Sequence, residues 1–213
     1  MKMKTERREI PSLLKKVLTT DVHLTDAFVN QTERFLPLRQ IKIYYKFLEV
    51  SGHGLLWLSG WLAFIWIANN KNLYQMQVNL LIGLLFDILT VAILKAVTRR
   101  RRPSDNKNSF ELGPDKFSFP SGHASRASLI TFFFFSIHPV SSVFILTFFS
   151  WTISICLSRI LLRKHYFLDI ICGISLGIME GFFINMIYLK RATCVEFVSW
   201  ITDEKLDGGE FHV

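Results

Sequence analysis

Five apolar runs separated by short polar stretches organise the chain, at about 47–68, 73–97, 123–138, 140–158 and 168–189. A membrane-crossing helix needs roughly 17–25 mainly apolar residues. The runs therefore read as candidate spans, the third being short. His138–Pro139 joins the third to the fourth and predicts a helical hairpin there. The expected fold is all-α: a polytopic membrane helical bundle of about five transmembrane helices. Ahead of it, "VHLTDAFVNQTERFLPLRQIKIYYKFLEV" mixes Leu, Phe, Ile and Tyr with charge, which predicts N-terminal interfacial helices. Three regions follow: a basic, amphipathic arm at 1–46, a membrane unit at 47–190, and an interfacial, then disordered tail at 191–213. "MKMKTERREIPSLLKK" has no apolar core after its charges, so no signal peptide is expected.

Composition strengthens the membrane reading. Half of the 213 residues are hydrophobic, 20 of them Phe, and the mean hydropathy is +0.31. The net charge of +8 suits nucleic acid, a membrane surface or an anionic substrate. In a multi-span chain, however, loop Lys and Arg are first a topology signal. Five spans put the N-terminus, the 98–122 loop and the 159–167 loop on one side. That side holds ten Lys or Arg before the first run, then Lys95, Arg99 to Arg102, Lys107, Lys116, Arg126, Arg159, Arg163 and Lys164. The other side has Lys71, Lys190, Arg191 and Lys205. The positive-inside rule places the basic side in the cytosol. No RNA- or DNA-binding module accompanies the charge, so the bilayer is the expected partner and nucleic acid is not. Cys156, Cys172 and Cys194, odd in number and widely spaced, indicate neither a disulfide framework nor a metal cluster.

Three polar patches fall on that basic side. In "KAVTRRRRP", Lys95 and Arg102 are seven apart. They point the same way if the helix continues to Pro103, so both could close on one anion. Arg99, Arg100 and Arg101 read as a basic anchor at the membrane edge. In "FPSGHASRA", Pro, Ser and Gly make a turn into a helix, whose free N–H groups form an anion site. Ser121 can add a hydroxyl, and His123, in the first turn, can protonate a leaving oxygen. In "SRILLRKHYFLD", His165 and Asp169 lie at i and i+4 and share a helical face. A carboxylate there can bond one ring nitrogen and leave the other as a nucleophile. Arg159 adds a third cation.

Lys95-x6-Arg102-Pro103, Pro120-Ser121-Gly122-His123 and Ser158-Arg159-x5-His165-x3-Asp169 together resemble the three-part signature of the type 2 phosphatidic acid phosphatase superfamily. "EVSGHG" (49–54), "RRRRP" and "DKFSFPSGHASRA" (115–127) resemble its polyisoprenoid diphosphate, or presqualene diphosphate, phosphatase branch. The resemblance implies a metal-independent hydrolase of the endoplasmic reticulum and nuclear envelope, needing no cofactor. Its implied substrates are presqualene, farnesyl and geranylgeranyl diphosphates. Wider-family members commonly have six spans, one more than the apolar runs here. In the implied mechanism His165 is the nucleophile that becomes phosphohistidine, Asp169 orients it, and His123 is the general acid and base. Lys95, Arg102, Arg159, Ser121 and the Gly122 N–H hold the phosphate.

Asp87 (two turns below Lys95), Glu180 (three turns below Asp169) and Arg126 (one turn from His123) are candidates for a supporting role. His53, in "SGHG", is a candidate for the rim of the substrate entrance. A phosphatase for phosphatidate, lysophosphatidate or sphingoid phosphates would use the same residues and is the alternative. A non-catalytic scaffold would be expected to carry a broken signature, and none is broken here.

Overall fold

The structure, a computed structural model, describes residues 11–35, 42–103 and 116–202. Lys107, Asp115, Lys205, the first ten residues and the expected disordered end of the tail lie outside them. Among the described residues, eight α-helices follow in order: α1 Ser12–Phe35, α2 Lys42–Ser51, α3 Gly54–Ala68, α4 Tyr74–Thr98, α5 Gly122–Phe132, α6 Ser142–Leu161, α7 Phe167–Met186 and α8 Arg191–Thr202. A π-helical turn, Phe133–Ile137, extends α5. The described residues form no β-strand, and the fold is all-α as expected.

Among the described residues, three helices are long and apolar enough to cross a membrane: α4, α6 and α7. The α2–α3 pair makes a fourth if counted as one span, bent by 59°. The run at 47–68 is therefore not the single helix expected. It breaks at Gly52–His53, where His53 takes an extended backbone as the N-cap of α3. The third run, α5 with its π turn, stays short, and five spans are not all recovered. The hairpin at His138–Pro139 is present, with the Thr131 and Thr152 hydroxyls 2.8 Å apart between α5 and α6.

Large apolar side chains point outward: Leu85, Leu89 and Ile93 on α4, Phe144 and Ile153 on α6, Met179 and Phe182 on α7. In lipid, helix association rests on close packing and polar contacts instead of apolar burial. On α7, Gly173, Gly177 and Gly181 recur every fourth residue and face α5. A Cβ on Gly177 would lie 2.1 Å from the Ser125 carbonyl oxygen, and one on Gly173 2.6 Å from that of Ser121. Gly177→Leu is therefore expected to force α5 off α7 and destabilise the protein by about 1–3 kcal/mol or more. Thermal unfolding in detergent would show it, and an unchanged midpoint would contradict the packing.

Candidate active site

The three patches meet where the basic ends of α4, α5, α6 and α7 come together. Lys95, 5% exposed, sits in the last turn of α4. That helix stops at Thr98, because Arg99 adopts a left-handed backbone (φ 51°) and its N–H caps the Lys95 carbonyl. The convergence of Lys95 and Arg102 is thus not the work of a continuing helix, as the seven-residue spacing suggests. The chain reverses after α4, and both cations still act electrostatically on His165. The reversed segment is pinned by Ser118 N–H donating to the Arg100 carbonyl at 2.8 Å.

Ser121 and Gly122 are buried at the start of α5. The Ser121 hydroxyl accepts from Ala124 N–H at 3.5 Å, and its own N–H donates to the Asp169 carbonyl at 3.0 Å. This second bond ties the α5 turn directly to α7. His123 follows, in electrostatic range of Arg159, Arg126 and His165. Its Nε2 donates to the Glu49 carbonyl at 3.0 Å.

Arg159 is 1% exposed in the last turn of α6. The turn after it folds back, Lys164 and His165 N–H both donating to the Arg159 carbonyl. A buried guanidinium is costly unless paired. Nη1 reaches the Glu49 carboxylate at 3.4 Å, whereas Nη2 has no hydrogen-bond partner among the described residues. Arg102 lies within electrostatic range of Arg159.

His165 is buried, and its Nδ1 lies 2.7 Å from the Ser118 carbonyl oxygen. A carbonyl only accepts, so Nδ1 carries the proton and Nε2 keeps its lone pair. The expected partner, Asp169, is 3.7 Å from Nδ1, beyond hydrogen-bond length. It acts on the ring through charge, and a backbone oxygen fixes the tautomer. Burial is the main force on His165, pushing its pKa down to about 4; Asp169 opposes this, while Arg102 and Lys95 add to it. The ring is therefore neutral at pH 7.

An unfolded imidazole gains its proton near pH 6.5, the folded His165 only near 4. Between those values the unfolded chain binds more protons, so His165 costs stability as pH falls through that window. The unfolding midpoint is expected to decline from pH 7 to 4.5, and His165→Gln to flatten the decline. Equal slopes would contradict this.

Asp169 is fully buried and accepts from Tyr166 N–H at 2.9 Å and from Arg100 Nη1 at 2.7 Å. Arg100 is therefore not a membrane-edge anchor. Its guanidinium also pairs with Asp21 of α1 at 2.6 Å and stacks over the Tyr166 ring at 4.2 Å. Arg99 and Arg101, in contrast, are exposed.

Three supporting candidates form one buried cluster within the bundle. Arg126 Nη2 lies 2.7 Å from Asp87, and Ser125 links to Glu180 at 3.5 Å. Asp87, two turns before Lys95 on α4, thus answers Arg126 on α5. Arg126 also donates to the Gly52 carbonyl at 3.0 Å, which ties the cluster to the α2–α3 bend. His53 itself is exposed, but its neighbours matter: a Cβ on Gly52 would lie 2.6 Å from the His123 ring. Among the described residues, no three His, Cys, Asp or Glu side chains are grouped to hold a metal ion.

Residues 76–192, just over half of the chain, match the family model described as the PAP2 superfamily. The chain belongs to the PAP2 superfamily. It is 30% identical over 195 residues to the probable lipid phosphate phosphatase beta of Arabidopsis thaliana, covering 78% of this chain and 88% of that protein. It is 30% identical over 122 residues to the lipid A 4'-phosphatase of Porphyromonas gingivalis, covering 52% of this chain and 49% of that one. The crystal structure of Aquifex aeolicus LpxE has the same fold, at a TM-score of 0.51 and 20% identity, over 68% of this chain and 85% of that one.

For a PAP2 chain the sequence understates the site. Glu49 carries no signature position, yet it pairs with Lys164 as well as Arg159 and holds His123 through its carbonyl. An acid at a membrane edge among many cations was the available signal. The Ser118 carbonyl left none, being a backbone group.

Proposed function

We propose that the chain is an integral-membrane phosphohydrolase of polyisoprenoid diphosphates (presqualene, farnesyl, geranylgeranyl), working through a phosphohistidine and without a metal. The enzyme class rests on membership of the PAP2 superfamily, whose relatives above are described as lipid phosphatases. The observation that carries the mechanism is His165. Its proton is parked on Nδ1 against the Ser118 carbonyl, and its neutral ring lies among Lys95, Arg102 and Asp169.

In the first step His165 Nε2 attacks the terminal phosphorus and the P–O bond to the bridging oxygen breaks. His123, doubly protonated once the diphosphate's negative charge is bound beside it, gives its Nε2 proton to that leaving oxygen, which takes the place of the Glu49 carbonyl as acceptor, and becomes neutral imidazole. In the second step His123 takes a proton from water, the hydroxide attacks phosphorus, and the P–N bond breaks. Inorganic phosphate leaves and both imidazoles return to their starting state. Charge accumulates on the equatorial oxygens, where Lys95, Arg102, Arg159, Ser121 and the Gly122 N–H meet it. Asp169 stabilises the charge that appears on the His165 ring.

Residues 47–190 form the phosphatase unit in this reading, between the 1–46 arm and the 191–213 tail. Residence in the endoplasmic reticulum and nuclear envelope, with the site facing the cytosol, follows from the branch and from the distribution of Lys and Arg. The relatives' names favour a second reading, a phosphatase for phosphatidate, lysophosphatidate or sphingoid phosphates. Phosphate release from farnesyl diphosphate and phosphatidate, side by side in detergent with EDTA, separates them. A large preference for phosphatidate would defeat the isoprenoid reading, and loss of turnover in EDTA would defeat metal independence.

A further inference from the structure

The segment from Arg163 to Asp169, which contains His165, is held by α1 on both sides. On its near side, Arg163 donates to Asp26 at 2.9 Å and to Asn30 at 2.6 Å. On its far side, Phe167 N–H donates to the Thr25 hydroxyl at 3.2 Å and Leu168 N–H to Asp21 Oδ1 at 3.0 Å. These are first-turn N–H groups of α7, which have no partner within their own helix. The other Asp21 oxygen takes Arg100 Nη2, whose sister nitrogen holds Asp169. Asp21, Thr25 and Val29, spaced four apart, form the buried stripe of α1. A helix that only floated on the membrane would turn its apolar stripe inward, not an aspartate and a threonine.

We propose that α1 is a positioning element of the active site, with Asp21 acting through Arg100 to set the Asp169 carboxylate beside His165. One guanidinium, bridged between two carboxylates and stacked on Tyr166, leaves Asp169 a single orientation: one oxygen on Arg100, the other on the Tyr166 N–H and toward the His165 ring. This extends the site beyond the signature positions to a helix more than 130 residues away in sequence. It rests on the phosphohydrolase reading for its kinetic consequence, but not for the contacts themselves.

The test uses the full chain in detergent. Asp21→Asn keeps an acceptor for Leu168 N–H and removes the charge that holds Arg100. Misplacing a reacting group by an ångström costs on the order of 100-fold, so kcat for farnesyl diphosphate is expected to fall roughly 10- to 100-fold, with KM within about threefold. Arg100→Gln should do the same, and the double variant should be no worse than Arg100→Gln alone, because both act through one contact. Thr19→Val, on the exposed face of the same helix, should leave kcat in place. A kcat for Asp21→Asn within twofold of wild type, or equal kcat losses in Asp21→Asn and Thr19→Val, would overturn the proposal. Hydrogen exchange over 163–170 supplies a readout independent of turnover. Asp21→Ala should speed exchange there and not in α4; unchanged exchange overturns the proposal. Faster exchange in a chain that hydrolyses no lipid phosphate would support the strap and overturn the phosphohydrolase reading.

Discussion

His165→Ala is expected to cut phosphate release from a lipid diphosphate by at least about 10⁴-fold, near 5 kcal/mol of barrier. No other described side chain offers a lone pair so placed. Nδ1–H is tied to Ser118, so Nε2 is the only basic atom the ring presents, and removing it removes the bond-forming atom. The substitution also leaves the Ser118 carbonyl without its donor, a cost of about 1–3 kcal/mol in stability. His165→Asn is the companion variant, since its amide can still donate to that carbonyl. Both should be inactive, and the second should unfold closer to wild type. Acid quenching of wild type with substrate labelled in the terminal phosphate should trap an acid-labile phosphoprotein absent from both variants. More than about 1% residual kcat/KM in either variant would end the nucleophile assignment, since that is about 100 times the residual activity expected.

His123→Ala should lower kcat for the lipid diphosphate by about 10²- to 10⁴-fold. The two steps depend on it differently. An alkoxide departing from a lipid monophosphate needs a proton, whereas a nitrophenoxide departing from an aryl phosphate needs little help. The deficit should therefore shrink for release of the aryl leaving group in the first turnover. Breakdown of the phosphoenzyme still needs a base, so the variant should give a burst of about one equivalent of phenol and then stall. A variant equally slow on both substrates, with no burst, would mean that His123 serves phosphate binding and not proton transfer. Gly52 should matter through the same ring, because a Cβ there would lie 2.6 Å from it.

Much of this site is legible as chemistry without being legible as geometry. Lys95, Arg102, Ser121, His123, Arg159, His165 and Asp169 are recognisable because each is a polar residue at the edge of an apolar run, where a bland loop needs none of them. The links between them were misread where a local rule was extended. The Lys95–Arg102 spacing suggested a continuous helix, and a left-handed residue at Arg99 ends it. The i,i+4 spacing suggested an imidazole–carboxylate hydrogen bond, and the Ser118 carbonyl takes that place. Arg100 reads together with Arg99 and Arg101 as a basic anchor, and nothing local in the sequence sets it apart from those two neighbours. The Gly173–Gly177–Gly181 repeat plays no part in the sequence reading, and spacing alone is silent on which helix it meets.

By itself, the sequence determined the helical class, the apolar lengths, the basic bias of one membrane side and the kinds of side chain at that edge, because these follow from local hydropathy and residue identity. Only the tertiary structure decided which arginine of the run holds Asp169, which oxygen holds the His165 proton, and that an N-terminal helix grips the segment around that residue. Those outcomes depend on contacts between residues up to 147 positions apart. No periodicity within one helix carries information about the partner that a distant helix will supply.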